Sequence, residues 1–83
     1  MISKIHVTIK NREKTVFDQD VTGVSSYNDV GLFDILPMHE NFISLIQNKI
    51  ILHDGTSQKE FNIDQGVVRV KDNKVEIYID VWS

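Results

Sequence analysis

Lys74-Val75-Glu76-Ile77-Tyr78-Ile79-Asp80-Val81-Trp82 is the stretch on which the fold turns. Val75, Ile77, Ile79 and Val81 alternate with Lys74, Glu76, Tyr78 and Asp80, and a period of two gives a half-buried strand one apolar and one polar face. Outward along the chain the same period returns. Ile5, Val7 and Ile9 alternate with Lys4, His6, Thr8 and Lys10, and Phe61 and Ile63 alternate with Glu60, Asn62 and Asp64. Ten Val, eleven Ile and four Thr stand against no Ala at all. β-branched side chains suit a pleated surface, whereas Ala is the best helix former. The expected fold is all-β.

Turn chemistry separates the runs. Asp54-Gly55 suits a tight hairpin between Lys49–His53 and Gln58–Asp64, and Asp72-Asn73 another between Val67–Lys71 and Lys74–Trp82. Asn11–Lys14 and Ser25–Asp29 read as polar connections. Counted this way the chain holds eight to ten short strands, and the expectation is a small antiparallel β-sandwich. His39–Asn48 stays open between a strand and one or two helical turns, since its apolar residues fall at 42, 43, 45 and 46 after Pro37. With 83 residues and no repeat or linker, residues 1–83 are expected to form a single domain.

Composition excludes several functions. The chain has no Cys, so disulfides, Cys-based zinc sites and a thiol nucleophile are absent. Its net charge of -3 argues against nucleic acid, which requires a basic face. The most apolar window, residues 42–52, is too short to span a bilayer, and residues 1–10 lack the apolar run of a signal peptide. A soluble, cytosolic protein with no direct membrane insertion is expected.

Candidates for chemistry are few. His6, His39 and His53 share no metal-type spacing. His6 reads as a solvated strand residue and His53 as a hairpin end, while His39, after Pro37-Met38 and before Glu40, differs only in standing where the alternation breaks. Ser25, Ser26, Ser44 and Ser57 lie in no nucleophile elbow. The pairs Asp18/Asp20 and Asp29/Asp34 could be drawn as acid and base, but carboxylates two apart on a strand share one solvated face. The expectation is a non-catalytic module with no cofactor.

The segment Asn28–Phe42 carries more information. Gly31-Leu32-Phe33-Asp34-Ile35-Leu36-Pro37-Met38-His39 resembles the hallmark of the N-terminal β-sandwich of the epsilon subunit of F-type ATP synthases, approximately G-x-F-G-I-L-P-G-H. Ile5–Asp20 resembles that family's opening strand pair, Ile50–Gly55 its hairpin, and Phe61–Val75 its closing strands. About nine-tenths of the chain is covered, in order. Asp34 and Met38 replace glycines, Glu40-Asn41 replace Ala-Pro, Asn48 stands where a glycine is common, and Asp64-Gln65 replace a Ser-Gly pair. Asn and Asp accept left-handed backbone and Met does not, so the loop at Met38 is expected to be shaped differently.

The resemblance implies a non-catalytic central-stalk subunit, peripheral on the cytoplasmic face of the inner membrane. It would dock on the gamma subunit and on the c-ring and help couple ion flow to ATP synthesis. On this chain the ring-facing loop corresponds to Asn28, Asp29, Val30, Gly31 and Leu32, and the region near gamma and the ring to His39 and Phe42. Family members usually continue into a pair of helices that in some bacteria bind ATP and brake hydrolysis. A chain ending at Ser83 resembles the short forms without them. The competing expectation is a stand-alone module of the same fold with another partner.

Overall fold

The computed structural model describes residues 4–79, and Val81 and Trp82, expected to end the last strand, lie outside them. Seven strands form: β1 (Ile5–Lys10), β2 (Thr15–Val21), β3 (Gly23–Tyr27), β4 (Leu32–Ile35), β5 (Phe42–Asp54), β6 (Ser57–Lys71) and β7 (Lys74–Ile79). There is no helix among the described residues. All seven strands belong to one hydrogen-bonded sheet in the order β2-β1-β7-β6-β5-β3-β4.

Seven replaces the expected eight to ten because two apparent breaks are bends within single strands. Pairing of β5 with β6 runs from Phe42↔Val70 to Gln47↔Gln65, then resumes at Asn48↔Ile63 and continues to Asp54↔Ser57. Asp64 is the extra residue of a bulge, and bulges bend a strand without ending it. Asp64 and Gln65 therefore both face outward, interrupting an otherwise regular alternation from Ile63 to Val70. Opposite them, Asn48 takes a left-handed φ of 79°.

The bend gives the one sheet two layers. β7 pairs with residues 66–71 of β6, whereas β3 pairs with β5 chiefly over residues 50–53. One layer thus holds β2, β1, β7 and the proximal halves of β6 and β5. The other holds the distal halves with β3 and β4. Ile5, Val7, Ile9, Val75 and Ile77 of the first layer face Ile50, Leu52, Val24, Ile35 and Ile63 of the second, all at most 4% exposed. Phe17 of β2 meets Phe61 of β6 edge-on at 6.1 Å, closing the layers at one side. Lys59 lies over both rings, with Nζ 5.8 and 5.5 Å from their centroids.

The pairing is mixed, not wholly antiparallel. β1 and β7 run parallel from His6↔Lys74 to Lys10↔Tyr78, which two strands at opposite ends of the chain can do because the whole domain serves as their crossover. One further expectation is corrected and one open point resolved. Ser25 and Ser26 belong to β3 and are 5% and 2% exposed, so Ser25–Asp29 is a connection only from Asn28 onward. Of His39–Asn48, left open between helix and strand, residues 42–48 are strand and residues 39–41 lead into it.

The hairpins are built as their residues dictate. Asp72 and Asn73 both take positive φ, 52° and 61°, the pattern of a type I′ turn. Gly55 supplies φ 65° as the first of two turn residues, Gly55-Thr56, the type II′ pattern.

Candidate functional site: the loop and sheet face around Asn28 to Leu45

The β3–β4 hairpin presents the first group of candidate residues. Asn28 N–H donates to the Gly31 carbonyl (3.0 Å), and Gly31 N–H returns a bond to the Asn28 carbonyl (3.2 Å). The Asn28 side-chain oxygen also accepts from Val30 N–H at 2.9 Å and Gly31 N–H at 3.1 Å. Gly31 has φ 138°, where an L side chain would be strained. This cage of bonds holds Asp29 and Val30 at the tip, and Val30 is 91% exposed. Leu32, first residue of β4, is 60% exposed. Val30 thus stands as an exposed apolar side chain at the tip of a hydrogen-bonded turn.

His39 and Phe42 lie beyond the other end of β4. Leu36, Pro37, Met38 and His39 form a tight turn closed by His39 N–H to the Leu36 carbonyl at 3.0 Å. Pro at its second position and positive φ (66°) at Met38 make the type II pattern. The expectation of a reshaped loop is therefore not met at this point: Met38 adopts the left-handed backbone that a glycine would supply. Asp34, the other glycine replacement, needs no such freedom, since it is an extended residue of β4. His39 Nδ1 donates to the Glu40 carbonyl (2.7 Å), and its ring lies 5.0 Å from that of Phe42. Phe42 in turn packs edge-on against Phe33 at 5.9 Å, which ties the start of β5 to the β3–β4 hairpin.

The structure adds residues that the sequence reading left out. On β5, Phe42, Ser44 and Ile46 point inward, while Ile43 and Leu45 point out and are 68% and 74% exposed. Leu45 is opposite Val67 of β6, and Val67 is opposite Tyr78 of β7. All are exposed, and Lys10 Nζ lies 6.0 Å from the Tyr78 ring. An apolar row thus crosses three strands on the outer face. Asn28 and Asp29 border the same shallow groove as Ile43 and Leu45, so the loop and the row form one continuous surface. The signal was present in the sequence: apolar residues at 42, 43, 45 and 46 belong to a strand with two faces to cover.

One constellation has the composition of a catalytic triad without its wiring. The Ser25 hydroxyl donates to Asp34 Oδ1 at 2.5 Å and lies 2.8 Å from His53 Nε2. His53 Nδ1 lies 3.3 Å from Gln58 Nε2. With one hydroxyl proton already given to Asp34, Ser25 accepts from His53 Nε2–H, and His53 Nδ1 accepts from the Gln58 amide. Every proton is committed in one direction. A triad needs the carboxylate on the far nitrogen of the histidine and a free lone pair facing the serine, so this network holds β3, β4 and β5 together and activates no nucleophile.

Residues 4–82 match the family described as ATP synthase, delta/epsilon chain, beta-sandwich domain. The chain belongs to that family. Among its relatives, the ATP synthase epsilon chain of Campylobacter curvus is 31% identical over 81 residues, covering 95% of this chain and 63% of that one. The epsilon chain of Leptospira borgpetersenii is 27% identical over 78 residues, covering 93% and 61%. The chain therefore spans about three-fifths of the length of these relatives. Among solved structures, a chain of the mitochondrial ATP synthase of Euglena gracilis superposes with a TM-score of 0.90 at 17% identity, over 100% of this chain and 54% of that one. One from the central stalk and c-ring of the Tetrahymena thermophila enzyme gives 0.77 at 14%, over 92% and 63%. At such identities the superpositions establish the fold alone.

Proposed function

We propose that this epsilon-family domain is a non-catalytic central-stalk subunit of an ATP synthase, peripheral to the membrane. It docks on the gamma subunit through the outer sheet face and on the polar loops of the c-ring through the Asn28–Leu32 turn. The exposed apolar row Leu45, Val67 and Tyr78, with Ile43 beside it and Asn28 and Asp29 of the caged turn bordering the same groove, carries this reading. Burial of such side chains against a partner contributes most of an interface's affinity, while exposed charge pairs at its rim contribute about 0–1 kcal/mol each. His39 and Phe42 shape the surface from beneath: both are only partly exposed, so their role is to present the neighbouring Ile43.

Leu45→Asp tests the reading. The side chain already faces solvent, so the fold is retained, and gamma binding is expected to fall at least tenfold in a titration against the gamma subunit of the same organism. His6→Ala, remote on the sheet, is the control and leaves binding unchanged. Folded wild-type chain that fails to bind gamma would overturn the proposal in favour of a stand-alone module with a different partner.

A further inference from the structure

His6 lies on the outward face of β1, opposite Asp20 of β2, and both of its ring nitrogens meet carboxylates. Nδ1 is 2.7 Å from Asp20 Oδ1 and Nε2 is 2.5 Å from Asp18 Oδ1. A neutral imidazole carries one N–H and one lone pair, and an ionised carboxylate can only accept. Both contacts are therefore attractive together only when the ring is the doubly protonated cation. Remove that proton and one lone pair faces a carboxylate oxygen at hydrogen-bond distance.

The position of the clasp in the sheet gives it a consequence. β2 is the outermost strand and pairs with β1 alone. Its outward residues Asp18 and Asp20 are exposed, and His6 is the group that bonds both of them to β1. Other charged groups around the ring are few. Thr8 of β1 donates to Asp18 (3.3 Å). Lys74 of β7 stands opposite His6 and Glu76 opposite Thr8. Lys4, before β1, pairs with Asp54 at 3.6 Å. The two bonded carboxylates outweigh the single opposing Lys74.

We propose that His6 is a proton-dependent clasp: protonated, it staples edge strand β2 to β1 through Asp18 and Asp20, and on deprotonation it releases one carboxylate and lets β2 open more often. The hydrogen bonds to Asp20 and Asp18 raise the folded-state titration of His6 above the ordinary 6.5. The closed clasp therefore persists above the pH at which a free imidazole gives up its proton, and is lost as pH rises through that raised value. The device requires no partner, so its test is independent of the docking reading.

Nitrogen NMR of the His6 ring on the 83-residue chain, followed from acid to alkaline pH, gives the protonation state directly. The expected result is a doubly protonated ring at pH 6.5, with a midpoint above that value which Asp18→Asn and Asp20→Asn each lower. In the same series, amide exchange of β2 is compared with that of β6 and β7, so that base catalysis cancels. Protection of β2 is expected to fall roughly two- to fivefold across the titration, the weight of one exposed charged pair. A His6 midpoint at or below the ordinary imidazole value, or relative β2 protection that does not move, would overturn the clasp. The wild-type titration alone decides this if a variant fails to fold.

Discussion

The side-chain oxygen of Asn73 accepts the backbone N–H of Met38 at 2.7 Å, across 35 residues of sequence. The amide nitrogen of the same side chain donates to the Lys4 carbonyl at 3.1 Å. One residue in the β6–β7 turn thus anchors both the entry to β1 and the turn after β4. Met38 is held in the left-handed region, which costs a non-glycine residue roughly 1–2 kcal/mol, by a partner from outside its own loop.

Asn73→Gly keeps the positive φ that the type I′ turn requires and removes both side-chain bonds. Each is worth about 0.5–1.5 kcal/mol, so urea denaturation should show a loss of about 1–2 kcal/mol. Asn73→Ala should lose more, because it adds left-handed strain to the same two missing bonds. An Asn73→Gly variant as stable as wild type, with Asn73→Ala alone destabilised, would mean that turn geometry, not the anchoring bonds, is what Asn73 supplies.

Gly66 occupies a site where a Cβ would lie 2.8 Å from the Tyr78 carbonyl oxygen. That oxygen belongs to the neighbouring ladder strand and cannot turn aside as a flexible side chain would. Gly66→Ala is expected to destabilise by about 1–3 kcal/mol, the range for forcing extra volume into a packed site. A thermal melt unchanged from wild type would show that β7 yields more readily than its paired position suggests.

Ser26 works at the bend. Pairing of β3 with β5 jumps from Ser26↔Ile50 to Tyr27↔Gln47, and the Ser26 hydroxyl donates to the Lys49 carbonyl within the skipped segment at 2.8 Å. Ser26→Ala leaves that acceptor without the bond in a place only 2% exposed on the serine side, at a cost of about 1–3 kcal/mol. Ser26→Thr, which retains the hydroxyl, should recover part of the loss in the same denaturation assay.

The pH dependence of stability follows from His6, whose folded-state value is raised by its bonds to Asp20 and Asp18. A raised value means that the folded chain binds the proton more tightly, so the stabilisation is complete below the unfolded value near 6.5 and disappears as pH rises through the folded one. The stability gap between wild type and His6→Gln should therefore be largest at mildly acidic pH and close at alkaline pH. Because the ring is 42% exposed, the gap should not exceed about 1 kcal/mol. A gap that widens with pH would contradict the assignment.

Much of this protein was legible before any coordinate. Alternation at Ile5–Lys10 and Lys74–Ile79, turn pairs at Gly55 and Asp72-Asn73, and the absence of Ala specify strands and hairpins because those features act over two to four residues. The hallmark around Gly31–His39 also marked the family, whereas the cage that Asn28 builds around Val30 and Gly31 was read only as a polar connection. What the chain alone did not determine depends on partners far away in sequence. Whether Asp64-Gln65 ends a strand or bends it is decided by Gln47 and Asn48 across the ladder, and that bend reduces the strand count to seven. The parallel pairing of β1 with β7 joins the two ends of the domain. The clasp on His6 exists because β2 brings Asp18 and Asp20 to one imidazole, and the apolar row from Leu45 to Tyr78 exists because three strands align in register. Local residue chemistry sets each element; register between distant strands, which no short window of sequence contains, decides which side chains meet and which are left facing outward.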